Sequence, residues 1–110
     1  MQISFGQFAW LLCGLLPVVV LAELPVARQQ ALRYLLAQDC GSCHGLTLQG
    51  GLGPALTREA LAGKSPEMLR AVILHGRPGT PMPPWQPFMS EAEAAWLVQQ
   101  LQAGVAADVR

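Results

Sequence analysis

Charge is scarce in this 110-residue sequence, and neither sign is in excess. Lys and Arg together number 7, Asp and Glu also number 7, and the four types make up 13% of the residues. Because nucleic-acid binding depends on a basic face, this balance excludes a nucleic-acid partner and predicts little electrostatic steering towards a highly charged protein. The length allows one domain.

Long hydrophobic runs are also lacking, except at the N-terminus. Residues 8–22 read FAWLLCGLLPVVVLA without a charge, but Pro17 interrupts the run, which is shorter than the ~18–20 residues of a membrane span. Val20 and Ala22 fit the −3 and −1 positions of a signal-peptide cleavage site. We therefore expect residues 1–22 to be a signal peptide and residues 23–110 an exported domain without stable membrane association. No Lys or Arg precedes the run, so an uncleaved anchor remains the alternative.

Strand patterns are absent after residue 22, where helical periodicity and Gly- and Pro-rich connections predict an all-α domain. We expect helices over about Pro25–Cys40, after the N-cap Thr57, from Ser65–Pro66 to Gly76, and from the capping box Ser90–Glu93 to Gly104. The tail after Gly104 is expected to fray. The predicted apolar faces are Ala31, Leu32, Leu35 and Leu36 in the first helix, Met68, Leu69, Val72 and Ile73 in the third, and Ala94, Leu97, Val98 and Leu101 in the last.

Cysteines are few, and their placement is informative. Cys13 lies in the predicted signal peptide, which leaves Cys40 and Cys43, followed at once by His44. The pattern C-x-x-C-H is the signal for covalent attachment of haem c, with both thiols bonded to the porphyrin and the histidine as an iron ligand. A thioredoxin-like dithiol would need a βαβ setting, which the sequence lacks. A zinc site would need four ligands, and besides these three residues the chain offers only His75 and no second cysteine pair.

A second iron ligand is expected in the proline-rich segment 76–90. Met82 lies in Gly79-Thr80-Pro81-Met82-Pro83-Pro84, where prolines restrict the backbone and can hold a weak thioether ligand in place. Met68 is expected to pack in the core, and Met89, beside the capping Ser90, is expected to be a hydrophobic staple or to fill a gap in the packing. His75 is the competing ligand, although its place at the end of a helix favours capping. Arg77 and Trp85 could each donate a hydrogen bond to a haem propionate.

Three sequence stretches resemble the class I cytochromes c. They are Cys40-x-x-Cys43-His44, Gly53-Pro54-Ala55-Leu56 and Met82-Pro83, and the likeness covers nearly all of residues 25–103. The resemblance implies three to five helices around one haem c, with the first and last helices crossing. It also implies that the Pro54 carbonyl orients His44. The aromatic residue that this family often has four positions before the first cysteine is replaced by Leu36.

The runs DCGSCHGLTLQGGLGPAL and HGRPGTPMPPW are similar to the small cytochrome c55X group. That resemblance implies a monomeric periplasmic electron carrier of denitrification, encoded among genes for haem-d1 nitrite reductase, with the reductase as its redox partner. A redox role in haem d1 maturation is the alternative, and a gas-binding sensor is a third hypothesis. No acid–base pair or nucleophile near the motif suggests an enzyme.

Overall fold

The computed structural model describes residues 23–108, and these form the all-α fold expected from the sequence. Its helices are α1 (Val26–Leu35), α2 (Gly41–His44), α3 (Arg58–Leu61), α4 (Pro66–His75) and α5 (Glu91–Ala103), and a 3₁₀ turn follows at Val105–Asp108. The described part contains no helix long and apolar enough to cross a membrane. The predicted signal peptide, residues 1–22, lies outside the described residues.

The first helix continues further than the sequence predicts. A π-helical turn at Leu36–Cys40 joins α1 directly to α2, so the helix runs to His44 rather than ending at Cys40. The wider π turn changes the register of the residues that follow, and such turns often occur at functional sites. Pro25 lies just outside the helix, where its carbonyl accepts hydrogen bonds from the Arg28 and Gln29 N–H groups at 2.9 and 3.0 Å.

The predicted caps of the later helices are confirmed. Thr57 Oγ1 accepts from the Ala60 N–H at 3.2 Å, and Ser65 Oγ accepts from the Met68 N–H at 3.2 Å. The capping box at the start of α5 is complete, because the Glu93 N–H donates to Ser90 Oγ at 3.1 Å and the Ser90 N–H donates to Glu93 Oε1 at 2.9 Å. Local capping chemistry thus sets where α3, α4 and α5 begin.

The core is built mainly from leucines. Its buried residues come from every helix but α2, together with the loops, and they are Leu32, Leu36, Leu48, Leu61, Leu74, Met89, Ala94, Leu97, Val98, Leu101 and Ala106. The predicted face of α5 is confirmed, since all four of its residues are buried. Leu48 is fully buried although its φ of 58° is unusual for a residue other than glycine.

Two expected core residues are instead on the surface. Met68 is 44% exposed and Ala31 is also exposed. Each comes one residue before a side chain that does face the core, Leu69 in α4 and Leu32 in α1, and one residue turns a helix by about 100°. Met89 is buried in the core, as expected of a residue that fills a gap in the packing.

The described part of the tail after α5, residues 105–108, forms a 3₁₀ turn where the sequence predicts fraying. Gly104 adopts the left-handed conformation with a φ of 100° and ends α5. The 3₁₀ turn that follows returns to the domain, where Ala106 is only 3% exposed. The apolar contact made by Ala106 supplies the stabilisation that the sequence pattern does not reveal.

Side chains of the first and last helices contact each other, and the crossing of the two helices stays a prediction. The Arg28 guanidinium of α1 forms an ion pair with Glu93 of α5 and also donates to the Phe88 carbonyl at 2.9 Å. Further along, the Arg33 guanidinium lies over the Trp96 ring, 5.4 Å from its centroid. The hydrogen bond from Arg28 holds the pKa of the Glu93 carboxyl below its ordinary value.

Candidate functional site: a cleft between His44 and Met82

His44 is oriented by the loop that follows α2. Its Nδ1 lies 2.7 Å from the Pro54 carbonyl oxygen. A carbonyl can only accept, so Nδ1 carries the proton and donates, and the neutral ring keeps its lone pair on Nε2. His44 therefore has a fixed tautomer with Nε2 available as a metal ligand, the arrangement that carbonyl partners give to ligating histidines.

The loop over residues 45–54 is itself tied to α2. The Gly50 N–H donates to the His44 carbonyl and the Gly53 N–H to the Cys43 carbonyl, both at 2.8 Å. Gly53 has to be a glycine here, because an added Cβ would lie 2.8 Å from both Cε1 and Nδ1 of the His44 ring. The bare backbone of Gly53 thus forms one wall against the imidazole.

The two cysteines of the motif differ in exposure. Cys43 is exposed, whereas Cys40 is partly buried, and this burial raises the pKa of the Cys40 thiol to about 11, with the Asp39 carboxylate as a smaller cause. A raised pKa disfavours the thiolate that zinc ligation or redox exchange requires, but it does not oppose a thioether, which is neutral. Within residues 23–108 no three His, Cys, Asp or Glu side chains are grouped to hold a metal ion.

Met82 lies in a loop that returns against the end of α4. The Arg77 N–H donates to the Met82 carbonyl at 3.2 Å, and the Trp85 N–H donates to the Ile73 carbonyl at 2.9 Å. Gly76 permits this close return, because its φ is 71° and an added Cβ would lie 2.6 Å from the Met82 carbonyl oxygen. The loop is therefore bonded to Arg77 at Met82 itself and to α4 at Trp85.

Two adjoining clefts share His44, Met82, Cys40 and Trp85 in their walls. The inner cleft, of about 80 Å³, is otherwise lined by apolar side chains of the core and the helices, among them Leu36, Leu61, Ile73 and Leu97. The outer cleft, of about 510 Å³, opens at the surface and also has Cys43, Pro54, Arg77 and Thr80 in its wall. Its volume is in the range of small-molecule and cofactor sites, about 300–1,000 Å³.

All the residues predicted for the site line these clefts. The outer cleft brings together Cys40, Cys43, His44, Pro54, Arg77, Met82 and Trp85. His75, the competing ligand, is exposed and belongs to neither lining. Sequence reasoning missed Leu52 and Thr80, which also line the outer cleft. The only sequence signal that could have placed Thr80 in the cleft wall is its position directly before Pro81 and Met82.

The residues of the clefts fit a haem group. An apolar interior suits the porphyrin faces, two thiols at the required spacing lie in the wall, and the His44 tautomer presents an unprotonated nitrogen. The outer cleft has only one acidic and one basic side chain, Asp39 and Arg77. Arg77 is the one side chain of that wall able to pair with a propionate through a charged group.

Known proteins agree with this assignment. Residues 27–100 match the family described as cytochrome c oxidase, cbb3-type, subunit III. A cytochrome c55X of Pseudomonas aeruginosa is 65% identical over 83 residues, which are 74% of this chain and 70% of that protein. The solved structure of the c-type cytochrome NirC matches with a TM-score of 0.74 and 60% identity over 76% of this chain and 99% of that one.

A larger relative contains a similar domain. The solved structure titled dihydro-heme d1 dehydrogenase NirN in complex with DHE matches with a TM-score of 0.59 and 41% identity. The match covers 64% of this chain but only 15% of that enzyme. Taken with the cytochrome c55X and NirC matches, the fold and the motif, these likenesses show that the chain belongs to the cytochrome c55X family of class I c-type cytochromes, whose domain carries covalently bound haem c.

Proposed function

We propose that this protein is a periplasmic one-electron carrier with a single haem c, bonded through Cys40 and Cys43 and ligated by His44 and Met82. The observation that carries the proposal is that His44 and Met82, which come from separate segments of the chain, line the same two clefts. The haem iron supplies the chemistry by cycling between Fe(III) and Fe(II). The protein accepts one electron from a donor and passes one to an acceptor, so its composition is unchanged after each cycle.

The hydrogen bonds and close contacts that hold both ligand segments support a carrier rather than a gas sensor. Pro54 and Gly53 hold the His44 ring, and hydrogen bonds to α4 hold the Met82 loop. A ligand set that keeps its geometry on oxidation lowers the structural change that accompanies electron transfer. A gas-binding protein needs instead an open or labile sixth position.

Spectra of the exported holoprotein and of Met82→Ala test the ligand set. The ferric parent protein is expected to show the weak absorption band near the red end of the visible spectrum that marks iron–thioether ligation, and Met82→Ala to lack it. His75→Ala is the matched control and should keep the band. A parent spectrum that Met82→Ala leaves unchanged would contradict the proposed ligand, and a mass without covalent haem would overturn the proposal as a whole. The same mass reports cleavage after Ala22.

The acceptor we propose is haem-d1 nitrite reductase, the partner that the cytochrome c55X resemblance implies. Rapid mixing of the reduced protein with oxidised reductase should give faster electron transfer than an unrelated class I cytochrome c of similar potential. Equal rates for the two cytochromes would argue against this acceptor.

The larger relative favours a second candidate, a redox role in haem d1 maturation. An enzyme named for acting on dihydro-haem d1 has a domain 41% identical to this chain. Removal of two hydrogen atoms from a dihydro-tetrapyrrole releases two protons to solvent and two electrons, which two oxidised molecules of a separate one-haem cytochrome can accept, one electron each. A gene deletion that leaves nitrite reductase without haem d1, together with slow electron transfer to the mature reductase, would favour this role over the first.

A further inference from the structure

The main chain of Met82 is held on both sides by one small group of residues. The Met82 N–H donates to Thr80 Oγ1 at 3.3 Å, and the Met82 carbonyl accepts from the Arg77 N–H at 3.2 Å. The Thr80 hydroxyl donates in turn to the Arg77 carbonyl at 2.7 Å. These contacts close a ring of hydrogen bonds in which the Thr80 side chain links Arg77 to Met82.

The prolines around Met82 make this link important. Pro81, Pro83 and Pro84 have no N–H group, so Met82 has the only main-chain donor in the four residues 81–84. That donor is directed to Thr80 Oγ1. Without the hydroxyl, no other side chain of the ring offers an acceptor, and the Met82 N–H would be left to water.

The anchors beyond the prolines do not depend on Thr80. The Trp85 N–H donates to the Ile73 carbonyl at 2.9 Å and the Gln86 N–H to the Leu74 carbonyl at 3.2 Å. These bonds hold the far side of the loop to α4, while Thr80 itself is exposed. Loss of its hydroxyl should therefore loosen Met82 more than it destabilises the fold.

We propose that Thr80 is a positioning residue for the sixth iron ligand, whose hydroxyl bridge from Arg77 O to Met82 N keeps the thioether on the iron and external ligands off it. The proposal rests on the proposed function, in which Met82 is that ligand. Thr80 acts only through the backbone of Met82 and touches no reacting atom.

The test compares ferric holoproteins with Thr80→Val, which keeps the side-chain shape without the hydroxyl, and Thr80→Ser, which keeps the hydroxyl. Thr57→Val is the matched control, because Thr57 Oγ1 accepts from a backbone N–H at 3.2 Å at the start of α3, outside both cleft linings. Imidazole is titrated against each protein while the red-end band is followed, and far-ultraviolet circular dichroism follows helix unfolding.

Thr80→Val is expected to bind imidazole roughly fivefold more tightly than the parent. This is the change in the binding constant that corresponds to the loss of the exposed hydrogen bonds of the Thr80 hydroxyl. Its red-end band should also disappear on heating well before the helices unfold. Thr80→Ser should resemble the parent, and Thr57→Val should unfold earlier with unchanged imidazole affinity.

Parent-like imidazole binding by Thr80→Val, or an equal change in Thr57→Val, would overturn the proposal. Failure of Thr80→Val to give folded holoprotein, with Thr80→Ser folded, would overturn it as well, since the hydroxyl would then be needed by the fold. Failure of the proposed function is recognised separately, because the parent itself would then lack a band that depends on Met82.

Discussion

Replacement of Gly53 by alanine tests the contact that orients His44. The added Cβ would lie 2.8 Å from Cε1 and Nδ1 of the ring, and about 0.6 Å of movement is needed to reach the 3.4 Å of an ordinary contact. The ring cannot move away without lengthening its 2.7 Å hydrogen bond to Pro54. Overpacking of this kind costs about 1–3 kcal/mol, and each kcal/mol lowers the melting temperature of a domain this size by about 4–8 °C.

Thermal unfolding of the holoprotein, followed by circular dichroism, measures this cost, and the reduction potential reports the displaced imidazole. Gly41→Ala is the matched control within the same motif. A Cβ there would make ordinary 3.7 Å contacts in a helix, so it should be neutral or stabilising by about 0.5–1 kcal/mol. If Gly53→Ala melts at the parent's temperature with an unchanged potential, the close packing of the ring is not a constraint and the reasoning fails.

Three further changes test the helix contacts and the surface. Arg28→Gln should lower the melting temperature at neutral pH and reduce its dependence on acid, measured between about pH 7 and pH 3. The reason is that Arg28 lowers the pKa of Glu93 in the folded state. The ionised carboxylate therefore stabilises the fold above the pKa that Glu93 has in the unfolded chain, and this stabilisation is lost as the pH falls through its pKa in the folded state. An unaltered acid profile would refute this. Ser90→Ala should cost about 0.5–2 kcal/mol in denaturant unfolding through loss of the α5 cap, and a midpoint equal to the parent's would count against the cap. Leu52 is an apolar side chain that is 93% exposed in the wall of the outer cleft, and we expect it to lie in the surface that docks to the reductase. Leu52→Asn should therefore leave stability unchanged but slow electron transfer to the reductase roughly fivefold. Leu46→Asn, 77% exposed and outside both linings, should not slow transfer, and equal effects of the two variants would refute a docking role for Leu52.

The sequence was sufficient where structure depends on neighbouring residues. The caps at Ser65 and Ser90 and the buried face of α5 follow from patterns within one or two helical turns, and the structure has all of them. The position of Pro54 against His44 was also predicted, but from the family resemblance and not from the residues themselves.

Features that depend on distant parts of the chain could not be predicted. Arg28 and Glu93 are 65 residues apart, and no local pattern indicates their ion pair. The π turn at Leu36–Cys40 departs from the regular 3.6-residue period, and a prediction made from that period alone does not include it. Met68 shows the same limit, because helical spacing predicts an apolar face without showing which residues at the edge of that face contact the core.

The two ligand segments are constrained by a similar arrangement with one important difference. At each segment a glycine allows close approach. A Cβ added to Gly53 would lie 2.8 Å from the His44 ring, and a Cβ added to Gly76 would lie 2.6 Å from the Met82 carbonyl oxygen. His44, however, directly follows a cysteine of the attachment motif, whereas only noncovalent contacts hold Met82 in its loop. When the holoprotein is destabilised, coordination should therefore be lost first at Met82, with His44 retained until the helices unfold.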